Sequence, residues 1–201
     1  MHVGVNGPTV KGTGKAIRET RKAQPASGVE ASGAMIVEIR RGPPKLVVEG
    51  QKEILKQLRT EYRDGRLRMW VDGNTSTDVP VRAWYTGPNV SSFEGSGATE
   101  WDVSGLNAKT VDIGLSGASK AKVEGNASKL NVEATGASEA NLKRLVATEA
   151  KLVATGASKI YATVKNSLNA SASGASEIRY YGKAESIKQE TSGASSVGPG
   201  K

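Results

Sequence analysis

A short phrase, Ser/Thr-Gly-Ala-Ser or a close variant, recurs seven times, with its glycine at Gly33, Gly97, Gly117, Gly136, Gly156, Gly174 and Gly193. From Gly97 onward the intervals are 20, 19, 20, 18 and 19 residues. Self-similarity at so short a period excludes a globule wrapped around one central core and predicts a stack of like units, each touching only its neighbours.

Aligning the units on the motif glycine shows what each contains. Four residues after the glycine stand Trp101, Ala121, Ala140, Ile160 and Ile178, and six after it Val103, Val123, Leu142, Ala162 and Tyr180. Six before the next glycine stand Val111, Leu130, Ala150, Leu168 and Ile187, and four before it Ile113, Val132, Leu152, Ala170 and Gln189. Between these columns lie Lys, Glu, Asn, Asp and Thr. Alternation at period two is the signature of a strand with one face buried.

Each coil is therefore expected to hold at least two short strands, with one corner at the Gly phrase and another near Gly105, Gly125, Asn166 and Gly182. A single coil cannot bury its own apolar face, so coils must stack in parallel, about 4.8 Å apart. The fold class that follows is all-β: a right-handed, single-stranded parallel β-helix with coils of about 18–20 residues, right-handedness being the rule for parallel crossovers. The motif glycines are its structural corners. The serines Ser119, Ser138, Ser158 and Ser176 are expected to form corner ladders that satisfy turn amides.

Three stretches divide the chain. Residues 1–26 read as an arm or edge strand; their Gly12-Thr13-Gly14-Lys15 lacks the spacing and the following Ser or Thr of a phosphate loop. Residues 27–95 read as irregular coils, with one or two helical turns between Gln51 and Leu58. The proline of Val79-Pro80-Val81 belongs at an edge or a strand start. Residues 96–201 are the regular coils.

Asp64-Gly65 lies between two alternating runs and is a strong hairpin signal. A two-residue turn there sets Arg63 against Arg66, Glu61 against Arg68 and Arg59 against Trp70. The five residues Arg59, Arg63, Arg66, Arg68 and Trp70 then form a candidate patch for an anionic glycan, through charge-assisted hydrogen bonds and stacking. If Asp64-Gly65 instead marks a coil corner, the patch falls apart.

Composition narrows the chemistry further. The hydrophobic fraction is 37% and the aromatic fraction only 4%, which suits a narrow interior lined by Ala and Val. Net charge is +8, but Lys and Arg are scattered through the coils, so it reads as solubility rather than as a specific nucleic-acid surface. No cysteine is present, and His2 is the sole histidine, which removes thiolate chemistry, Ser-His-Asp catalysis and His-based metal sites. The acidic residues are dispersed along the strands. No cofactor, no metal and no catalytic residue is expected, and no apolar run is long enough to span a membrane.

The chain also resembles the bacterial head GIN domain family of auto-transporter adhesins. The resemblance is carried by Val29-Glu30-Ala31-Ser32-Gly33-Ala34, Val37-Glu38-Ile39, Leu46-Val47-Val48-Glu49-Gly50, Glu61-Tyr62-Arg63-Asp64-Gly65-Arg66-Leu67 and the later Gly coils, in that order. It implies a right-handed β-helix with a secreted, periplasmic or surface-attached life in bacteria. Residues 1–8 lack a basic n-region and an apolar h-region, so that location assumes a signal segment already removed. The expected function is a non-enzymatic, adhesin-like binding or structural surface of the cell envelope or exterior. The alternatives are a polysaccharide-binding or polysaccharide-modifying protein and a plain spacer. The expected partner is a glycan or a surface protein, with weak self-association through an end or side face of the stack.

Overall fold

The computed structural model describes residues 8–201; His2 and the first part of the N-terminal arm lie outside the described residues. The chain is 66% strand and 3% helix, coiled into a parallel β-solenoid of about 5 turns. Its irregular part runs β1 (Val10–Lys11), β2 (Ile17–Arg21), β3 (Gly28–Gly33), β4 (Met35–Arg41), β5 (Lys45–Gly50), α1 (Lys52–Gln57), β6 (Leu58–Arg63), β7 (Arg66–Val71), β8 (Thr75–Ser76), β9 (Val81–Gly87) and β10 (Ser92–Gly97). Its regular part runs β11 (Glu100–Leu115), β12 (Lys120–Ala134), β13 (Glu139–Ala154), β14 (Lys159–Ala172), β15 (Glu177–Tyr181), β16 (Ser186–Thr191) and β17 (Ser196–Pro199).

The second corner differs from expectation. A regular coil is not two short strands parted by a turn but one long strand that bends. The bend is made by bulges, where the register slips between Val103 and Leu106, between Lys122 and Glu124, and between Leu142 and Val146. An extra residue on one strand bends it without ending the ladder, so hydrogen bonding continues around the corner.

The bends fold the ladder into two walls. The first carries the leading halves of the long strands and runs β17-β15-β14-β13-β12-β11-β4-β9-β5-β2. The second carries their trailing halves and runs β16-β14-β13-β12-β11-β10-β3-β7-β6. The coil formed by β3 and β4 is thus inserted between later segments, with Gly33 stacked directly on Gly97.

Between the walls lie the predicted columns. Trp101, Ala121, Ala140, Ile160 and Ile178 are buried, as are Val111, Leu130, Ala150 and Leu168. The pattern fails only in the last coil, where Ile187 is 41% exposed although it pairs with buried Leu168. No strand beyond β16 covers it among the described residues.

The other end is capped over its interior, although β6 keeps one unpaired edge among the described residues. There β5 runs antiparallel to β9, β2 antiparallel to β5, and β6 antiparallel to β7. Helix α1, within the stretch expected to be helical, packs Ile54 and Leu55 into the interior. The segment after β2 crosses the same end and is held by Tyr85. This buried phenol donates to the Gln24 carbonyl at 2.8 Å and accepts from the Ala26 amide at 2.9 Å. Burial pushes its pKa up. Pro80 precedes the first residue of β9, a strand paired on both sides, so of the edge and the strand start expected for it the structure takes the strand start.

Candidate binding face

The hairpin forms as the Asp-Gly pair requires. Asp64 and Gly65 both have positive φ, 51° and 73°, which is the type I′ geometry. Arg63 opposes Arg66, Glu61 opposes Arg68 and Arg59 opposes Trp70. The hairpin then joins the second wall, because β7 pairs in parallel with β3.

Its arginines do not stand as free charge. Arg66 pairs with both Glu30 and Glu94, and Arg68 reaches Glu30 at 3.0 Å. Arg59 holds Asp72 at 2.6 Å, and Asp72 also accepts the Trp70 indole N–H at 2.6 Å. Those two donors, Arg59 first, keep the Asp72 carboxyl below its ordinary pKa. Arg63 lies 3.6 Å from Asp64, both well exposed. The predicted cluster is real as a cluster, but each cation already faces a carboxylate.

Following the register from the hairpin along the wall brings outward side chains into rows. One row is Arg66, Gly28, Ser92, Asp112, Asn131 and Lys151; the next is Arg68, Glu30, Glu94, Gly114, Glu133 and Val153. A third holds the motif hydroxyls Ser32 and Ser96, with Ser116 and Thr135 continuing it. Trp70, which follows Met69 opposite Ala31, stands at the head of that row.

All of these residues except Arg66 and Gly28 line a shallow groove of about 890 Å³ across the wall, with Trp70 near one end and Lys151 and Val153 at the other. Gly114, between Glu94 and Glu133, leaves a notch in the lining that the Glu94 side chain partly fills, its Cγ 3.3 Å from where a Cβ would stand. Of the predicted patch, Arg68 and Trp70 line the groove; Arg66 stands at its margin on β7, and Arg59 and Arg63 stand outside it on β6. Four carboxylates (Glu30, Glu94, Asp112, Glu133) and two cations (Arg68, Lys151) line the groove, and Arg66 at its margin pairs with Glu30 and Glu94, so the groove is close to balanced in charge on a protein of net charge +8.

Glu30, Glu94, Asp112, Asn131 and Glu133 were not candidates in the sequence. The signal was nonetheless present. They stand three or five residues before the motif glycine, in the same alignment that reveals the interior columns.

The motif serines are structural. Ser119, Ser138, Ser158 and Ser176 are buried. They bond carbonyls rather than the turn amides expected of them. The Ser158 hydroxyl lies 2.9 Å from Thr155 O of its own corner and 2.9 Å from Ala134 O of the preceding coil, and its one proton serves both. The corner amides have carbonyl partners already, as in Ala157 N to Gly136 O at 2.7 Å. Among the described residues no group of three or more acidic or histidine side chains could hold a metal ion, and no helix is long and apolar enough to cross a membrane.

A putative adhesin from Bacteroides fragilis has the same fold: TM-score 0.77 at 15% identity, covering 94% of this chain and 99% of that one. A putative adhesin from Parabacteroides merdae superposes with TM-score 0.58 at 15% identity, over 96% and 99% of the two chains. A protein from Parabacteroides distasonis described as a putative lipid binding protein gives 0.54 at 16% identity, over 96% and 100%. No curated protein matches the chain. The profile of the family described as "Putative auto-transporter adhesin, head GIN domain" matches residues 27–184, from the start of β3 to just past β15. Spanning the inserted coil, the hairpin and every long strand, that match makes the chain a member of the head GIN domain family.

Proposed function

We propose that the protein is a non-enzymatic, extracytoplasmic binding module of adhesin type, and that the groove on its second wall takes a neutral glycan chain. The observation that carries this reading is the groove itself. It offers an aromatic side chain, a row of hydroxyls and rows of carboxylates and amides, repeated at the coil spacing. Pyranose rings stack on indoles, and their vicinal hydroxyls are donors suited to carboxylates and amides. Coils about 4.8 Å apart stay roughly in step with the sugars of an extended glycan laid along the stack, whereas an extended peptide, at about 3.4 Å per residue, drifts out of step. Such contacts are individually weak and gain from repetition.

Ion pairing of Arg66 and Arg68 with Glu30 and Glu94 leaves the hairpin end of the groove without free positive charge and argues for a neutral rather than an anionic chain. Calorimetric titration with neutral and uronic-acid oligosaccharides tests this. Trp70→Ala should weaken neutral-glycan binding about tenfold, and Gly114→Phe, which fills the notch, should abolish it. Binding unchanged in both variants would remove the groove from the function.

The second reading, a polysaccharide-modifying enzyme, rests on Glu94 and Glu133. They flank Gly114 in one row, two coil steps apart, about 9.6 Å from the ladder spacing. Glycoside hydrolysis needs two carboxyl groups flanking one sugar linkage, and inverting enzymes hold theirs about 6.5–9.5 Å apart. Release of reducing ends from a bound glycan, lost in Glu133→Gln, would favour it over pure binding.

A further inference from the structure

The second wall ends at both extremes in a strand with one open edge. At one end β6 pairs only with β7, and at the other β16 pairs only with β14, among the described residues. Each strand is six residues long, and neither contains proline. Edges of this kind are templates for another chain.

We propose that copies of this protein associate head to tail, the β6 edge of one adding antiparallel to the β16 edge of the next. Backbone direction sets the pairing. Ser192 N donates to Ala172 O on the β14 side, so by alternation Lys188 and Glu190 also point their amides to β14, and Ile187 and Gln189 point theirs to the open edge. Across the hairpin, Arg63 and Arg66 flank the two-residue turn and bond each other, so Thr60 and Tyr62 face the open edge of β6. Setting Tyr62 against Ile187 and Thr60 against Gln189 joins edge-facing residues to edge-facing residues.

That register also satisfies the side chains. Glu61 falls opposite Lys188, Arg59 opposite Glu190 and Arg63 opposite Ser186, all on the outer face. On the inner face Tyr62 covers Ile187, whose 41% exposure reflects a missing next rung. Slipping two residues one way sets Arg59 against Lys188. Slipping the other way sets Glu61 against Glu190 and Arg63 against Lys188. One register is therefore selected by charge. The Leu58 carbonyl is already held by Arg21 at 2.7 Å, so the new ladder begins beyond it.

Because the joined patches differ, the contact does not consume itself, and assembly stays open-ended rather than stopping at two. It would prolong the outward rows from one molecule to the next, independently of what the groove binds.

Sedimentation velocity on the full chain over a wide concentration range tests the proposal. The expected result is a mean mass that rises past the dimer. Glu61→Lys and Lys188→Glu, both at exposed positions, should each raise the concentration needed for association about tenfold. The double variant restores an opposite-charge pair and should return to the parent behaviour. A mass fixed at monomer, a limit at dimer, or a double variant no better than the singles would each overturn it.

Discussion

At the scale of single residues, the stack turns on its corner glycines, and they are not equivalent. Gly117 has φ 73°, and a Cβ placed on it would lie 2.5 Å from Gly97 O in the preceding coil. Gly33 has φ 93°, but a Cβ there would meet nothing within 4 Å. Left-handed backbone alone costs an alanine about 1–2 kcal/mol. Gly33→Ala should therefore lose about that much in a urea melt, and Gly117→Ala at least about 3 kcal/mol, because backbone must move as well. Equal losses would show that coil-to-coil contact at the corner is unimportant. Glycine at these positions was legible from recurrence alone. Which of them is crowded was not, since crowding depends on the coil stacked against each one.

At the scale of elements, the hairpin was legible to the residue. Asp-Gly admits few turn geometries, and a two-residue turn fixes every cross-strand pair beyond it. Its electrostatics were not legible, because Glu30 and Glu94 come from strands distant in sequence that meet Arg66 only after the wall assembles. The bent long strands were missed for a related reason. A bulge leaves the alternation nearly intact, so one bent strand reads like two straight ones.

The hairpin carries a pH response of its own. Asp72 has a folded pKa below its unfolded value near 3.8, because Arg59 and Trp70 bond the ionised form. The stabilisation is thus present above that value and is lost as pH falls through the lower, folded pKa. Trp70 emission, taken as the difference between the parent and Trp70→Phe, should titrate below pH 3.8. In Asp72→Asn that step should vanish. A Trp70 step that persists there would mean another group controls the indole.

At the scale of the whole molecule, period and column alignment made the solenoid readable, including which residues point inward. The order of coils was not readable. Gly33 and Gly97 stack directly although 64 residues separate them. The intervening segment makes the helix and all but one of the antiparallel strands that cap the interior at one end. Nothing in local periodicity reports such a long-range choice of partner. The groove belongs to this scale too. Its near-balanced lining arises only when rows of outward residues align, so the overall charge of +8 misdescribes this face.

The most direct measurement is a glycan array probed with the purified protein at low and at physiological salt. A neutral-glycan groove should give binding to neutral polysaccharides that survives physiological salt, since hydrogen bonds and stacking are little screened. Binding confined to anionic glycans and lost at physiological salt would contradict it, and would return the net positive charge to the centre of the function.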